Sequence, residues 1–272
     1  MTCETTVWTE SATYWSDYLH DDNISMKNLL LCNGHVGLDI FLWLVDHYRD
    51  DIGLVITIGN DGIKQAAEDA GVSSLSVTTK HELHGAIRNS GQSYDLGFLI
   101  WWPWIIDAHL IGLPRHGFIN THPSLLPFNR GKHYNFWALV EEAPFGVSLH
   151  FVEDGIDCGD VVAQLPILYD WEDNGATLHA AASRAMTDLF KDAYPRIREG
   201  SVSRKPQDLT RGSFHRSSEL EGASRIDLDS RYLARDLLNL LRARTFPGHP
   251  ACWFEDDGQT FEVRVEIRRK NP

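Results

Sequence analysis

Asn120, His122 and Asp157 are the residues of this chain whose types and spacing indicate chemistry. Asn120 and His122 are two positions apart in F-I-N-T-H-P, so on an extended strand both side chains lie on the same face. Asp157 follows later, in the loop E-D-G-I-D-C-G-D. A neutral imidazole accepts a proton near neutral pH, a carboxylate orients it, and an amide N–H donates to a developing oxyanion. These three groups together suit acyl or carbonyl chemistry.

The same residues have a purely structural explanation. An isolated Asn-x-His-Pro is commonly a strand-end turn in which Asn120 and His122 bond backbone groups, and on the residues alone that explanation is the commoner one. An acidic loop with glycines on both sides of Asp157 is more often a solvated hairpin than an active-site wall. Ser124 is not surrounded by a G-x-S-x-G elbow, so covalent serine catalysis is not expected.

Short apolar runs alternate with helical segments along the part of the chain that must position these groups. Four buried strands are predicted, at Leu29–Cys32, Leu54–Ile58, Leu96–Ile100 and Gly117–Asn120. This alternation predicts an α/β fold, with a Rossmann-like, mostly parallel sheet and flanking helices. Such sheets place chemistry at the carboxyl ends of their strands, which is where Asn120 and His122 fall.

The sequence predicts three parts. Residues 1–26 form an acidic, aromatic N-terminal extension, residues 27–205 the catalytic domain, and residues 206–272 a small C-terminal subdomain. The polar stretch 206–218 marks the boundary. Beyond it, a helix is predicted at Ser230–Ala243 and a hairpin strand at Phe261–Ile267, after the turn D-D-G-Q.

Composition excludes several classes of function. The net charge of -13, from 25 Lys+Arg against 38 Asp+Glu, argues against a nucleic-acid partner. No apolar run reaches the roughly 20 residues that span a bilayer, and the first residues do not look like a signal peptide, so a cytoplasmic protein without membrane contact is expected. The four cysteines form no C-x-x-C pair, so neither a metal site nor a disulfide framework is predicted.

The segment N-T-H-P-S-L-L-P and the downstream strand and loop G-V-S-L-H-F-V-E-D-G-I-D-C-G, at this separation, resemble one known family. It is the family of formyltransferases that use 10-formyltetrahydrofolate, such as glycinamide ribonucleotide transformylase and methionyl-tRNA formyltransferase. The similarity covers Lys27 to about Ile197. It implies that Asn120, His122 and Asp157 are the catalytic set.

A narrower resemblance is carried by N-R-G-K-H-Y-N-F-W at residues 129–137 and R-A-R-T-F-P at residues 242–247. Both resemble the nucleotide-sugar N-formyltransferases. This implies that the acceptor is the amino group of a nucleotide-linked, dTDP-type 3- or 4-amino-dideoxysugar. The short C-terminal part and the acidic charge fit this acceptor better than tRNA.

The resemblance also implies ligand-binding residues. The 10-formyltetrahydrofolate co-substrate is expected between the W-W-P-W-I-I loop and the E-D-G-I-D loop, on Trp104, Ile105, Ile106, Glu153, Asp154 and Gly155. Trp101 and Trp102 are expected to be core aromatics. The candidates for the nucleotide-sugar are Asn33, Gly34, Lys132, His133, Arg242, Arg244, Phe246 and Trp253. An exposed face of the C-terminal hairpin can pair two subunits into a homodimer.

Two alternatives stay open at this point. A 10-formyltetrahydrofolate hydrolase shares the catalytic motif but attacks with water, and it usually carries an N-terminal regulatory domain for which the first 26 residues are too few. A non-catalytic nucleotide-sugar or folate binding protein would keep the fold alone, whereas all three catalytic residue types are intact here.

Overall fold

The computed structural model describes residues 26–59 and 62–270, so the predicted N-terminal extension lies outside the described residues except for Met26. The strands are β1 Asn28–Cys32, β2 Ile52–Ile58, β3 Ser74–Val77, β4 Leu96–Ile100, β5 Phe118–His122, β6 Arg130–Gly131, β7 Gly146–Phe151, β8 Val161–Pro166, β9 Phe214–His215, β10 Cys252–Asp256 and β11 Gln259–Val263. The helices are α1 Gly34–Tyr48, α2 Ile63–Asp69, α3 Lys80–Asn89, α4 Ala108–Ile111, α5 Tyr134–Val140, α6 Gly175–Arg198, α7 Glu219–Ala223 and α8 Ala234–Ala243.

Seven strands form the central sheet, in the order β3-β2-β1-β4-β5-β7-β8. The first five of these are parallel, and β7 and β8 continue the sheet in antiparallel pairing. The predicted Rossmann-like, mostly parallel sheet with flanking helices is confirmed. The order reverses between β1 and β4, and open α/β sheets bind their ligands at the carboxyl ends of the strands next to such a reversal.

The core lies on both faces of this sheet. Successive residues of β1 point to opposite faces: Leu30 and Cys32 belong to the apolar cluster that includes α1 and α6, while Leu29 and Leu31 belong to the cluster that includes α3. The long helix α6 begins at a capping box, in which the side chain of Asn174 accepts from the N–H of Thr177. Both faces of the parallel strands are therefore buried, as their continuous apolar sequence requires.

The C-terminal part contains α7, α8 and the β10–β11 hairpin, which confirms the predicted small helix and hairpin subdomain. Asp257 and Gly258 turn the hairpin with φ values of 47° and 73°, as a two-residue turn requires. The last strand ends at Val263 rather than at the predicted Ile267. Among the described residues, no helix is both long enough and apolar enough to cross a bilayer.

Candidate active site

Strand β5 presents the candidate catalytic groups at the carboxyl end of the sheet. Asn120 and His122 lie on one face of the strand, and between them Thr121 points away. The Thr121 hydroxyl accepts from the N–H of Trp101 at 2.9 Å and donates to the carbonyl of Leu99 at 3.1 Å. Thr121 therefore fixes β5 against the end of β4.

Asp157 lies between two imidazoles. Its Oδ2 is 3.4 Å from Nδ1 of His122, and its Oδ1 is 3.6 Å from Nε2 of His150. The backbone N–H of Gly131 donates to Oδ2 at 2.9 Å. Asp157 itself has a positive φ of 51°, a backbone conformation that costs energy for a residue other than glycine. The structure thus brings the three predicted residues together.

Burial and charge set the protonation of the pair. His122 is only 5% exposed, and this burial lowers its pKa against the opposing attraction of Asp157. Burial alone would raise the pKa of Asp157, but the two histidines and the N–H of Gly131 outweigh it and hold that pKa well below its usual range. Near neutral pH the site therefore holds a carboxylate beside a neutral His122, which is a base ready to accept a proton.

His150 is a fourth member of the site that the sequence motif did not single out. It lies on β7 directly opposite Asn120, because β5 and β7 pair with Asn120 facing His150. Its Nδ1 donates to the carbonyl of Phe151 at 2.8 Å, so in the neutral ring Nε2 is the acceptor. The amide Nδ2 of Asn120 is 3.1 Å from that Nε2. A histidine inside a buried strand was the available signal, but its partner depended on strand pairing.

Two polar atoms of the site are left for a ligand. Within the described part of the chain, Nε2 of His122 is buried and has no hydrogen-bond partner. The Asn120 amide has two N–H groups and uses one on His150, so the second is available as a donor. A proton acceptor and an oxyanion donor are thus both present beside Asp157.

A segment at residues 204–215, here called the strap, holds the loops that carry these groups. Gln207 donates from Nε2 to the carbonyls of Asp157 at 3.0 Å and Gly159 at 2.7 Å. Arg204 bonds Glu153 at 2.8 Å and Asp160 at 3.1 Å. The strap therefore clamps both sides of the loop that carries Asp157.

The same strap holds the loop that follows His122. Its β9 strand pairs in parallel with β6, Arg130–Gly131. Gly212 lies so close to the loop that a Cβ there would fall 1.9 Å from the carbonyl oxygen of Pro127. The region 206–218, predicted as a polar boundary, is therefore packed against the catalytic loops at Gln207 and at residues 212–215.

The predicted folate residues fall into two groups. Trp104 is half-buried with its ring 5.3 Å from Trp102, and Ile105 is 63% exposed, so these two offer apolar surface. Ile106 is 6% exposed and belongs to the core, as does Trp102, the latter as expected. In the Asp157 loop, Glu153 is paired with Arg204, which leaves the backbone around Asp154 and Gly155 as the less engaged part of that loop.

Among the predicted acceptor residues, a basic group lies next to the catalytic loop. Lys132 reaches the carbonyl of Pro103 at 3.5 Å and so links the two loops. Burial, followed by the positive charges of Arg244 and Lys132, lowers the pKa of His133. These three cationic or ionisable side chains are therefore neighbours. In the first βα turn, Gly34 has a φ of 62°, and Asn33 precedes α1 without a side-chain cap bond.

Aromatic contacts connect Phe246 to the catalytic histidine. The Phe246 ring is 5.5 Å from His179, His179 is 6.4 Å from Tyr134, and Tyr134 is 6.4 Å from His122, each between ring centroids. Phe246 is thus part of the same wall as the catalytic strand end.

Arg242 does not fit its predicted role in phosphate binding. It is 4% exposed, its Nε donates to Asn239 at 2.9 Å, and its Nη1 donates to the carbonyls of Asp170 and Asp173. The guanidinium is therefore used to join α8 to the 170–173 loop. Trp253 packs within the C-terminal subdomain, with Arg225 5.5 Å from its ring, and nothing in its contacts leads to the catalytic strand.

Comparison with known proteins agrees with this architecture. Residues 61–193 match the formyl transferase family, and residues 219–269 match the N-formyltransferase dimerization C-terminal domain. The chain is 28% identical over 155 residues to dTDP-4-amino-4,6-dideoxyglucose formyltransferase of Mycobacterium bovis, covering 57% of this chain and 66% of that enzyme. It is 30% identical over 173 residues to methionyl-tRNA formyltransferase of Thermodesulfovibrio yellowstonii, covering 61% of this chain and 53% of that one.

Solved structures share the fold. A Mycobacterium tuberculosis protein, described as a candidate sugar N-formyltransferase, superposes with a TM-score of 0.75 at 23% identity, over 91% of this chain and all of that one. The formyltransferase PseJ of Anoxybacillus kamchatkensis, solved with UDP-4,6-dideoxy-4-formamido-L-AltNAc and tetrahydrofolate, gives 0.53 at 25% identity, over 72% and 88% of the two chains. The two family matches, over residues 61–193 and 219–269, show that the chain belongs to the formyltransferase family, and the solved structures share its fold.

Proposed function

We propose that this protein is a sugar N-formyltransferase, which moves a formyl group from 10-formyltetrahydrofolate to the amino group of a nucleotide-linked 3- or 4-amino-dideoxysugar. The observation that carries the proposal is the buried His122–Asp157–His150 arrangement, with Asn120 beside it, at the end of β5. The matching mycobacterial enzyme acts, by its name, on a dTDP-4-amino sugar, which supports dTDP as the nucleotide.

The residues divide the reaction between them. The uncharged amine attacks the formyl carbon, and a C–N bond forms as the carbonyl becomes an oxyanion. Asn120 donates its free N–H to that oxyanion. His122 accepts the proton that the amine loses and returns it to the departing folate nitrogen as the formyl–N10 bond breaks. Asp157, at 3.4 Å, stabilises the imidazolium in between.

The residues around β4 and the Asp157 loop fit a flat, partly apolar co-substrate. Trp104 and the exposed Ile105 provide an apolar wall, and the peptide groups around Asp154 and Gly155 provide donors and acceptors. PseJ, which shares the fold, holds tetrahydrofolate. Ile106 and Glu153, engaged in the core and with Arg204, support the two loops rather than the ligand.

The acceptor is proposed to lie on the other side of the catalytic strand. Lys132 and Arg244 supply the positive charge that a pyrophosphate needs, in a protein whose net charge is -13, and His133 lies between them as a hydrogen-bonding group. Phe246 and the turn at Asn33 and Gly34 complete the wall. Arg242 and Trp253 are not included, because their contacts lie within the C-terminal subdomain and its junction with the 170–173 loop.

A homodimer is proposed through the C-terminal part. Residues 219–269 match a dimerization domain, and this region exposes Leu228, Leu233 and Phe261 at 54%, 72% and 42%. Apolar side chains with that exposure in one small subdomain are typical of a surface that is covered in the assembled protein.

The test is a formyl-transfer assay with 10-formyltetrahydrofolate and a panel of dTDP-, UDP-, GDP- and CMP-linked amino sugars. We expect formamide product with a dTDP-linked amine, and loss of it in His122→Ala and Asp157→Asn proteins. Formate release in the absence of any amine would instead show a hydrolase. Formyl transfer at the wild-type rate by His122→Ala would refute the assignment of the base.

A further inference from the structure

We propose that His122, His150 and Asp157 form a binding site for a zinc ion, which occupies the catalytic groups and so inhibits the enzyme reversibly. Binding of the ion depends only on these side chains, whereas the inhibition rests on the proposed formyl transfer. Among the described residues, this trio is the one group of histidine, cysteine and carboxylate side chains with ligand atoms close enough for a metal, all within 4.8 Å of one another.

The ligand separations agree with a tetrahedral ion. Zinc lies about 2.0–2.1 Å from a histidine nitrogen and about 2.0–2.2 Å from a carboxylate oxygen, so two ligands of a tetrahedron are about 3.3 Å apart. Nδ1 of His122 lies 3.4 Å from Oδ2 of Asp157, and Nε2 of His150 lies 3.6 Å from Oδ1, so each imidazole faces its own oxygen of the carboxylate. The two imidazole planes are inclined at 81°, so their nitrogens approach Asp157 from different directions. The three ligand atoms, which lie within 4.8 Å of one another, must close to about 3.3 Å to bind one ion.

Two of the ligands already have the outer partners that zinc ligands usually have. His150 donates from Nδ1 to the carbonyl of Phe151 at 2.8 Å, which fixes the tautomer in which Nε2 is free to bind a metal. Asp157 accepts from the N–H of Gly131 at 2.9 Å, which orients its carboxylate. Ordering these side chains thus costs little at the moment of binding.

The site offers three protein ligands and leaves a fourth position open. Asn120, which now bonds Nε2 of His150, is partly exposed and lies at the strand end, so its amide can turn away when an ion enters. An ion at this point binds Nδ1 of His122 in place of the proton that this nitrogen directs at Asp157, which is released to solvent, and it also fills the space beside Asn120 where the oxyanion forms. The net charge of -13 favours the binding of a cation over that of an anion.

The test is isothermal titration of the metal-stripped full chain, carrying no histidine tag, with zinc chloride. We expect one zinc ion per chain. His150→Gln and Asp157→Asn should each lose more than the ~10–100-fold in affinity that removing an outer partner costs. His84→Gln is the matched control, because His84 also pairs with an aspartate, Asp107 at 2.8 Å, at the surface. It should bind zinc as the wild type does.

Circular dichroism and unfolding curves check that each variant is folded, and cobalt(II) gives a reading on the unaltered chain. Four-coordinate cobalt bound by nitrogen and oxygen shows intense visible bands without a thiolate charge-transfer band. A thiolate band would place a cysteine, such as Cys158 next to Asp157, among the ligands and would overturn the proposal. Equal zinc affinity in wild type and His150→Gln, or no stoichiometric binding at all, would overturn it too.

Activity measurements then separate the two parts of the proposal. Formyl transfer should fall in proportion to zinc occupancy and return on chelation. If zinc occupies the site and transfer continues at the same rate, the inhibition is wrong. If zinc binds but no amino sugar is formylated, the metal site stands and the proposed function fails.

Discussion

Gln207 is expected to control catalysis without touching either substrate. Its Nε2 donates to the carbonyls of Asp157 and Gly159, at 3.0 and 2.7 Å. Asp157 is held at a φ of 51°, a conformation that costs of the order of 1–3 kcal/mol. Each of the two hydrogen bonds contributes about 0.5–1.5 kcal/mol net, so together they offset a strain of that size. Without them, the loop can relax and move the carboxylate away from both imidazoles.

The perturbation is Gln207→Ala, measured by steady-state formyl transfer and by urea unfolding. We expect the stabilisation of the transition state to fall by about 1–3 kcal/mol, which corresponds to a fall in kcat of roughly 5- to 150-fold, with little change in the KM for the sugar. The free energy of unfolding should fall by a similar amount. The fall should appear in kcat because Asp157 stabilises the imidazolium that forms only during the reaction.

Tyr169→Phe is the matched control for this variant. The Tyr169 hydroxyl also contacts two carbonyls, those of Ala138 at 3.1 Å and Ala143 at 2.9 Å, at the far end of α5. It should lose stability by a similar amount and keep its kcat. If Gln207→Ala loses stability as Tyr169→Phe does and yet retains the wild-type kcat, then Asp157 is held by other contacts and the reasoning is refuted.

Four further results are expected. Burial lowers the pKa of His122, so the acid limb of the plot of kcat/KM against pH should have its midpoint below pH 6.5. A midpoint at or above pH 6.5 would contradict a buried neutral base. The same depressed pKa means that the unfolded chain binds more protons than the folded one below pH 6.5, so folding stability should decline as the pH falls from there. Arg242→Met should lower the free energy of unfolding in urea by about 1–3 kcal/mol, since it leaves the buried Asn239 and the carbonyls of Asp170 and Asp173 without this donor, and the KM for the sugar should not change. Leu233→Asp should convert the dimer to monomer in light scattering, and a wild-type monomer would contradict the proposed interface.

The catalytic trio was predicted from local signals together with the resemblance to the formyltransferases, because the residues alone left a structural turn as the commoner explanation. Asn120 and His122 share a face by the two-residue period of a strand, and Asp157 follows the neighbouring strand in a glycine-bounded loop. The alternation of short apolar runs and helices likewise predicted the parallel sheet. Both predictions use short stretches of sequence, in which the spacing of the apolar residues and the turn residues determine the local conformation.

The contacts that complete the site are not local. His150 faces Asn120 only because β7 is antiparallel to β5 in one particular register. Arg242 and Arg244 are two positions apart in one segment, yet Arg242 is buried under the 170–173 loop while Arg244 neighbours His133. Composition and motif cannot distinguish these two arginines, since the difference depends on which surface α8 packs against.

The contacts of the strap extend the catalytic unit beyond residue 205, where the sequence predicted its end. A chain cut at residue 205 keeps Asn120, His122 and Asp157, so by motif it looks intact. It loses Gln207, which holds the strained backbone of Asp157, and it loses β9, which pairs with Arg130–Gly131. The N–H of Gly131 donates to the Asp157 carboxylate, so one hydrogen bond to that carboxylate and the bond that holds its backbone both depend on residues beyond 205. By its contacts, the catalytic unit extends at least to His215.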